Sequence, residues 1–241
     1  MNTDASFDFL DPIIPVLEFR LAHFDPKSTY DVGFDRVNFT LRKGELMLVR
    51  HDPKLGRLGL ADAAQGLFSP SSGEVLFEGK NWGQMSARAS ESARGKIGRV
   101  FVENSWISNL DVEENVLLRL KHGWFMSKRK VQQQLKETCA HFGVRELPHV
   151  RPSMMPVDQL QMAQWIRAFV GAPRLVLLEH LVNDASLPRR KLIEAVDDVL
   201  KREGAVVWIT DREDIWSGAD VKADQRFVVT DDTMRAFSED A

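Results

Sequence analysis

The sequence predicts an α/β domain with a mostly parallel core sheet, an antiparallel β subdomain and a helical subdomain. Three observations lead to this prediction. Short apolar segments separated by turn residues fill positions 16–48, which is typical of antiparallel strands. The wholly apolar segments 175–178 and 205–209 alternate with helical patterns, which is typical of a parallel sheet covered on both faces. Helix-forming residues with helical spacing dominate the middle of the chain, and we place the helical subdomain at about 104–170.

Composition limits the class of protein. A chain of 241 residues with 44% hydrophobic content can bury a sizeable core, and we expect a single domain over residues 1–241. The net charge of -3 gives no electrostatic basis for binding nucleic acid. The single cysteine, Cys139, excludes an internal disulfide and is expected to be a buried thiol. No apolar run approaches the roughly 20 residues that span a bilayer, and the N-terminus lacks the form of a signal peptide.

The first half of the chain is predicted to hold strands, one loop and one helix. Residues 16–19 and 37–41 have strand-like patterns and begin an antiparallel sheet. A buried strand at 45–49 is followed by a loop and then by helical character over 58–67. Strand, loop and helix is the order that a phosphate-binding P-loop requires.

The second half alternates helices with strands. The spacing of apolar residues predicts helical structure from Asp111 to Phe142, with the basic run 128–130 on a solvated face. The remaining predicted elements are helices at 159–170 and 189–202, the two apolar strands named above, and a short strand at 227–229.

Taken in order, these segments resemble the ATP-binding subunit of ABC transporters. The similarity covers about residues 16–236, nearly one cassette, and it implies a P-loop NTPase-like fold. The family pairs two cassettes on a transmembrane permease, so the resemblance also implies a permease partner and a second cassette, either identical or an active paralogue. The segments that carry the resemblance are 37–45 before the P-loop, 66–75 after it, 97–101 and 110–118 around the Q-loop, and 167–178 leading to Walker B.

The segment at the P-loop position departs from the family pattern G-x-x-x-x-G-K-[ST]. Here residues 51–58 are HDPKLGRL, in which Gly56 matches and Arg57 keeps a positive charge with a forked head. Leu58 cannot bind a metal, and Pro53 removes a backbone donor. Two interpretations stay open: a plain connecting loop, or a remnant ATP site at the start of a helix.

Walker B in the resembling family ends in an aspartate that orients magnesium and a glutamate that polarises water. This chain has Glu179 and His180 at these positions. Glu179 is an adequate oxygen ligand for Mg²⁺ with a longer stem. His180 is a conceivable base, and a structural or solvated histidine is the alternative interpretation.

Three further family motifs are altered. The Q-loop glutamine corresponds to Val102, and the signature motif corresponds to 155–159, where Gln159 alone is retained. Asp158 is expected to cap the helix that follows it. The switch histidine corresponds to Asp211, which we expect to cap a helix starting near residue 212. The family also has an aromatic residue that stacks on adenine, and the resemblance implies Phe24 or Tyr30 for this role. Packing in the core is the alternative interpretation for either residue.

These losses predict a non-catalytic or regulatory cassette-like subunit that docks on a permease. Both halves of the family's composite ATP sites, P-loop and signature, are altered. Trp106, Ile107 and Leu110 are interpreted either as an apolar docking surface or as core of the helical subdomain. The alternatives are a divergent ATPase with weak hydrolysis and an interaction protein without a transporter. The resemblance implies a location on the cytoplasmic face of the inner membrane. It is also compatible with a role in lipid transport.

Overall fold

The computed structural model describes residues 14–25, 33–102, 105–123, 127–180, 188–231 and 233–237. Within these ranges no helix is both long and apolar enough to cross a membrane. The strands are β1 (Leu17–Phe24), β2 (Phe34–Leu41), β3 (Leu46–Arg50), β4 (Ser72–Phe77), β5 (Lys80–Asn81), β6 (Ile97–Val100), β7 (Leu175–Glu179), β8 (Ala205–Thr210), β9 (Gln225–Thr230) and β10 (Thr233–Ala236). The helices are α1 (Leu60–Ala64), α2 (Ala87–Arg94), α3 (Val112–Gly123), α4 (Lys128–His141), α5 (Val157–Phe169), α6 (Arg189–Lys201) and α7 (Glu213–Trp216).

Two sheets make up the fold. Four strands form an antiparallel sheet in the order β2-β1-β4-β5. Six strands form the core sheet in the order β10-β9-β3-β8-β7-β6, parallel except for the terminal β9–β10 pair. The prediction of an antiparallel β subdomain and a mostly parallel core sheet is therefore confirmed.

Two hydrophobic clusters cover the faces of the core sheet. One cluster joins the antiparallel sheet and α1 to side chains such as Met47 and Val207 of the core strands. The other joins α3, α4, α5 and α6 to the opposite face, where Trp208 is buried. Cys139 lies in this second cluster at 1% exposure, and burial raises the pKa of its thiol to about 11. The prediction of a buried thiol is confirmed.

Helix α5 lies against strand β6 because Gly98 leaves room for it. A Cβ atom at Gly98 would stand 1.8 Å from the carbonyl oxygen of Ala168, a separation that packed atoms do not tolerate. The glycine in the middle of a fully buried strand is thus explained by the close approach of a helix backbone.

The predicted helices differ from the observed ones mainly at one place. The helices at 159–170 and 189–202 are found as α5 and α6, with each end within two residues of its predicted position. The helix predicted over 58–67 is reduced to the five residues of α1. Gly59 precedes α1 and Gly66 follows it with a φ of 65°, so glycine interrupts the helical pattern at both ends.

Candidate functional site

The carboxyl ends of three neighbouring parallel strands meet at one edge of the core sheet. Strands β3, β8 and β7 lie side by side, so the residues that follow them converge there. His51 follows β3, and its backbone N–H donates to the carbonyl of Thr210 at 3.1 Å. His180 follows β7 and donates in the same way to Ile209 at 3.0 Å. The three strand ends therefore hold His51, His180 and Asp211 in one place.

The segment at the P-loop position forms a tight turn that uses its own amide groups. Residues Pro53–Leu55 make one turn of 3-10 helix. The N–H of Lys54 donates to the Asp52 carboxylate at 2.9 Å, and the N–H of Leu55 donates to the Asp52 carbonyl at 3.0 Å. The N–H of Gly56 donates to the Pro53 carbonyl at 3.1 Å. A loop that binds phosphate needs such donors directed at the ligand, and here they are engaged within the turn.

Gly56 and Arg57 lie between this turn and α1. Gly56 has a φ of 105°, which explains the glycine by backbone conformation. Arg57 is exposed and lines a cavity of about 330 Å³ together with Glu179 and His180. Helix α1 starts at Leu60, three positions after Arg57, and is one turn long. The helix predicted to follow the loop is therefore present, but it begins two residues later than expected, with Gly59 as its N-cap.

Glu179 is buried and paired with an arginine that the sequence analysis did not single out. Its exposed fraction is 4%, and its Oε2 accepts a hydrogen bond from Arg99 Nε at 2.6 Å. Arg99 Nη1 donates to Asp62 at 2.5 Å and to the Gln65 side chain at 2.8 Å. Burial opposes the charge of Arg99, yet Glu179 and Asp62 together raise its pKa. Arg99 thus remains a cation between two carboxylates.

This arrangement does not fit a magnesium ion at Glu179. A metal ligand has to direct a carboxylate oxygen at the ion, whereas the guanidinium of Arg99 already lies against both Glu179 and Asp62. Among the described residues no group of three or more acidic, histidine or cysteine side chains is arranged to hold a metal ion. The sequence contained a signal for this ion pair. Arg99 is the one charged residue of β6, whose four residues are all buried, and a buried charge requires a counter-ion.

His51 and His180 form a buried imidazole pair. His51 Nδ1 and His180 Nε2 are 3.1 Å apart, and His51 is 1% exposed. Burial and the neighbouring His180 lower the pKa of His51 to about 4, and burial lowers the pKa of His180 as well. Both rings are therefore neutral near pH 7, and one of the two facing nitrogens carries the shared proton.

Asp211 faces His180 and does not cap a helix. Its Oδ1 lies 3.7 Å from His180 Nδ1. Helix α7 begins at Glu213, Arg212 occupies the N-cap position, and Thr210 Oγ1 accepts from the Arg212 N–H at 3.1 Å. The cap predicted at Asp211 is wrong because a threonine one residue earlier makes the local hydrogen bond.

The residues at the signature position lie away from these strand ends, on the first turn of α5. Pro156 is the N-cap and makes no side-chain capping bond, so the cap predicted at Asp158 is wrong. Asp158 and Gln159 lie in the first turn and are exposed. An acidic residue in a first helical turn is favoured by the helix dipole, which accounts for Asp158 without a ligand.

The structure places Phe24 in the core. Phe24 is 1% exposed, and its ring centre lies 4.9 Å from that of Phe68 in the antiparallel sheet's cluster. The ring is enclosed by side chains and has no open face for a nucleotide, which agrees with the core-packing alternative. Tyr30 lies outside the described residues. Val102 is 53% exposed and lines the same cavity as Arg57.

Comparison with known proteins identifies relatives of this chain. The family model for ABC transporters matches residues 34–181, more than half of the chain. Staphylococcus epidermidis HrtA, an ATP-binding protein assigned to hemin import, is 25% identical over 199 residues, which cover 82% of this chain and 89% of HrtA. The methionine import ATP-binding protein MetN of Helicobacter acinonychis is 28% identical over 189 residues, covering 76% of this chain and 58% of MetN.

Solved structures with the same fold are also found. An ATP-binding subunit of an ABC transporter superimposes with a TM-score of 0.77 at 15% identity, over 93% of this chain and 90% of that one. The ATP-binding cassette MJ0796, solved as a dimer in a post-hydrolysis state with ADP and Pi, superimposes with a TM-score of 0.76 at 19% identity, over 92% of this chain and 98% of that one. At such identities the similarity concerns the fold.

Proposed function

The chain belongs to the ABC transporter family as an ATP-binding cassette, and on that premise we propose that it is a non-catalytic or regulatory subunit that docks on a transmembrane permease. It acts at the cytoplasmic face of the inner membrane, next to a second cassette that is identical or an active paralogue. Its contribution to transport is structural, because the groups that would carry phosphoryl transfer are replaced or engaged with one another.

The observation that carries this proposal is the ion pair between Arg99 and Glu179. Phosphoryl transfer depends on a metal ion that neutralises the developing charge on the phosphates. Glu179 stands where a metal ligand would be needed, and its carboxylate accepts from Arg99 at 2.6 Å. The guanidinium of Arg99 thus neutralises Glu179 at the end of β7 without any bound nucleotide or metal. The internally satisfied turn at Pro53–Leu55 supports the same conclusion, since it directs few amide donors outward.

The region around Ile107 supports docking. Ile107 is 43% exposed, and its backbone is held by Asn115, whose Oδ1 accepts from the Ile107 N–H at 2.8 Å. Trp106 is partly buried, packs against the helical cluster and lies over Arg167. Thus Trp106 fits the core alternative, and Ile107 supplies an exposed apolar side chain on a braced loop. Such a preorganised apolar contact is favourable for binding a partner.

The test is calorimetric titration of the purified full chain with ATP and Mg²⁺. We expect no saturable heat at millimolar ATP. The chain must be shown to be folded by circular dichroism, and an active cassette of the same family provides the positive control. Binding that disappears in Arg57→Ala would contradict the non-catalytic assignment, because it would show a working phosphate contact.

A second candidate is a divergent ATPase with weak hydrolysis that powers transport. It is favoured by one observation, the common cavity of about 330 Å³ lined by Arg57, Glu179 and His180. In this alternative Arg57 contacts phosphate and His180 acts as the base. It requires magnesium-dependent turnover that is lost in both Arg57→Ala and His180→Ala. Turnover unaffected by either substitution would be assigned to a contaminant.

A further inference from the structure

Two neighbouring apolar side chains are left in water at the start of α5. Met154 and Val157 are 74% and 72% exposed, the highest values among the large apolar residues that the structure describes. Asp158 follows in the first turn of α5 and is also exposed. We call these three residues the α5 patch. Adjacent apolar side chains with this degree of exposure are typical of a contact surface.

A second exposed group lies at the turn that follows β3. Leu55 is 39% exposed and stands between the exposed cations Lys54 and Arg57. Val102 is exposed as well, and it lies beside this turn because it lines the same cavity as Arg57. We call these four residues the loop patch. The acidic residue of the turn, Asp52, already accepts from the Lys54 N–H at 2.9 Å. The loop patch therefore combines apolar side chains with positive charge.

The two patches complement each other but lie apart on the chain. Each offers two apolar side chains, and the carboxylate of Asp158 is opposite in sign to the two cations of the loop patch. Arg167, near the far end of α5, donates to the carbonyl of Ser105, which lines the cavity beside the loop patch. A helix rises 1.5 Å per residue, so Val157 lies about 15 Å along α5 from Arg167. One chain therefore does not bring its own two patches into contact.

A partner that presents a nucleotide fits the α5 patch poorly. Phosphate bound at a helix start needs N–H donors and the positive end of the helix dipole. Asp158 already complements that dipole with a negative charge, and it would repel a phosphate. The side chains of Met154 and Val157 offer no hydrogen-bond donor. The α5 patch is therefore better matched to a loop that carries cations and apolar side chains, which this chain itself possesses.

We propose that the second cassette is another copy of this chain, and that the α5 patch of each copy contacts the loop patch of the other directly, without nucleotide between them. The inference rests on the proposed function, which places a second cassette beside the chain and leaves its identity open. A two-fold axis forms the contact twice and closes the assembly as a dimer. Burial of the apolar side chains of both patches drives association, and Asp158 of one copy faces Lys54 and Arg57 of the other.

The experiment is sedimentation equilibrium of the purified full chain over a range of concentrations, first in EDTA and then with ATP and Mg²⁺. We expect a reversible dimer in EDTA, with a dissociation constant that changes less than about twofold on adding ATP and Mg²⁺. A chain that stays monomeric up to about 100 μM overturns the proposal and leaves an active paralogue as the second cassette. A dimer that forms only with ATP and Mg²⁺ also overturns it.

A charge exchange tests which residues meet across the interface. Asp158→Lys and Lys54→Glu are each expected to weaken the dimer about tenfold or more, because a two-fold dimer contains each contact twice. The double variant is expected to recover most of this loss, since opposite charges face each other again. Lys80→Glu reverses an exposed lysine of β5 and is the matched control, which should dimerise as the parent does. Single variants with parental affinity, or a double variant weaker than either single one, overturn the assigned contact.

A second pair of variants tests the apolar part of the contact. Val157→Ser is expected to weaken the dimer about tenfold, because its side chain is buried twice in the assembly. Leu67→Ser is the matched control, since Leu67 is an exposed apolar residue outside both patches. Equal dissociation constants for these two variants would overturn the role of the α5 patch.

Failure of this inference is separable from failure of the proposed function. The non-catalytic assignment is tested by calorimetry of ATP binding with Arg57→Ala, in which Asp158 and Lys54 are left unchanged. A monomeric chain that binds no ATP overturns the dimer and leaves that assignment in place. A dimer in EDTA that also binds ATP through Arg57 supports the dimer and contradicts the non-catalytic assignment.

Discussion

His180 Nδ1 lies 3.7 Å from Asp211 Oδ1, which brings an imidazole and a carboxylate together at the ends of β7 and β8. The sequence analysis assigned the family's catalytic glutamate to position 180 and its switch histidine to position 211, and on that assignment the two chemical types are exchanged in this chain. The exchange puts His180 within 3.1 Å of His51, a residue that stands at the first glycine position of the P-loop pattern. Burial lowers the pKa of both rings, so protonation of either one opposes folding.

The first prediction concerns the pH dependence of folding. The pKa of His51 is about 4 in the folded chain, below the ordinary value of 6.5. The unfolded chain therefore binds more protons between these values, and stability is complete above pH 6.5 and falls as pH decreases toward 4. We expect His51 to account for about 2 kcal/mol of lost unfolding free energy between about pH 7 and pH 5. Urea unfolding at the two pH values measures it.

His51→Gln isolates this effect. The variant is expected to be less stable at neutral pH and to lose about 2 kcal/mol less on acidification than the parent. His149→Gln is the control for replacing an exposed histidine, because the His149 side chain is 72% exposed and its loss should leave the contact between His51 and His180 intact. An identical slope in His51→Gln and the parent would show that the buried pair does not set the acid stability.

The second prediction concerns Arg99. Arg99→Met removes the cation between Glu179 and Asp62, whose exposed fractions are 4% and 7%. An uncompensated buried carboxylate is strongly unfavourable, so we expect a loss of about 3–5 kcal/mol in unfolding free energy. Urea unfolding at neutral pH checks this value.

A double-mutant cycle distinguishes the ion pair from lost packing. Arg99→Met combined with Glu179→Gln should cost less than the sum of the two single variants, by about 1–3 kcal/mol. Arg174→Met is the control, since Arg174 pairs with Glu78 in a partly exposed position and should cost far less. Additive single effects would mean that Arg99 and Glu179 stabilise the sheet edge independently.

Much of the architecture follows from patterns that act locally. Segments 175–178 and 205–209 are continuous apolar runs, and such runs fit a strand that is buried on both faces. The helices α5 and α6 carry apolar residues at helical spacing with a polar face, so their type and approximate ends are predictable. Helix α1 is shorter than predicted because of the glycines at 59 and 66. The spacing of apolar residues, on which the prediction relied, does not take account of glycine.

The site was less predictable because its contacts join residues far apart in sequence. Arg99 contacts Glu179, 80 positions away, and His51 contacts His180, 129 positions away. Comparison with the family pattern assigned His180 to the position of the catalytic glutamate and Asp211 to that of the switch histidine. The structure adds that these two side chains face each other. The pattern at 51–58 did contain a sign of the turn, because an aspartate before a proline commonly accepts a hydrogen bond from the backbone N–H two residues later, as Asp52 does from Lys54.

The third prediction concerns Gly98. In Gly98→Ala the new Cβ would stand 1.8 Å from the Ala168 carbonyl oxygen, so α5 has to move away from β6. Overpacking against a backbone atom is expected to cost about 3 kcal/mol in unfolding free energy. Thermal unfolding compares the variant with Gly83→Ala, where the nearest atom is a side-chain oxygen at 3.3 Å and the change should stay within about 1 kcal/mol. Equal stability of the two variants would contradict this close contact.

The fourth prediction concerns the loop that carries Ile107. Asn115 is 4% exposed, and besides accepting from the Ile107 N–H it donates to the carbonyls of Ile107 at 3.1 Å and Asp111 at 2.9 Å. Asn115→Ala leaves the Ile107 N–H without its acceptor, whereas the two carbonyls keep the N–H groups of Leu110 and Asn115 as donors. We therefore expect a loss of about 1–3 kcal/mol and faster amide exchange at Ile107.

Hydrogen exchange followed by mass spectrometry measures that opening directly. Peptides covering 105–111 should exchange faster in Asn115→Ala, while peptides from β7 and β8 should keep their protection. The control is Gln132→Ala, which removes an exposed hydrogen bond from Gln132 to Glu113 on a neighbouring helix and should leave the loop unchanged. Protection of 105–111 that persists without Asn115 would show that Trp106, packed between Arg167 and the helical cluster, is enough to hold the loop. The proposed docking surface around Ile107 would then depend on aromatic packing, and Trp106→Leu becomes the variant that should open the loop.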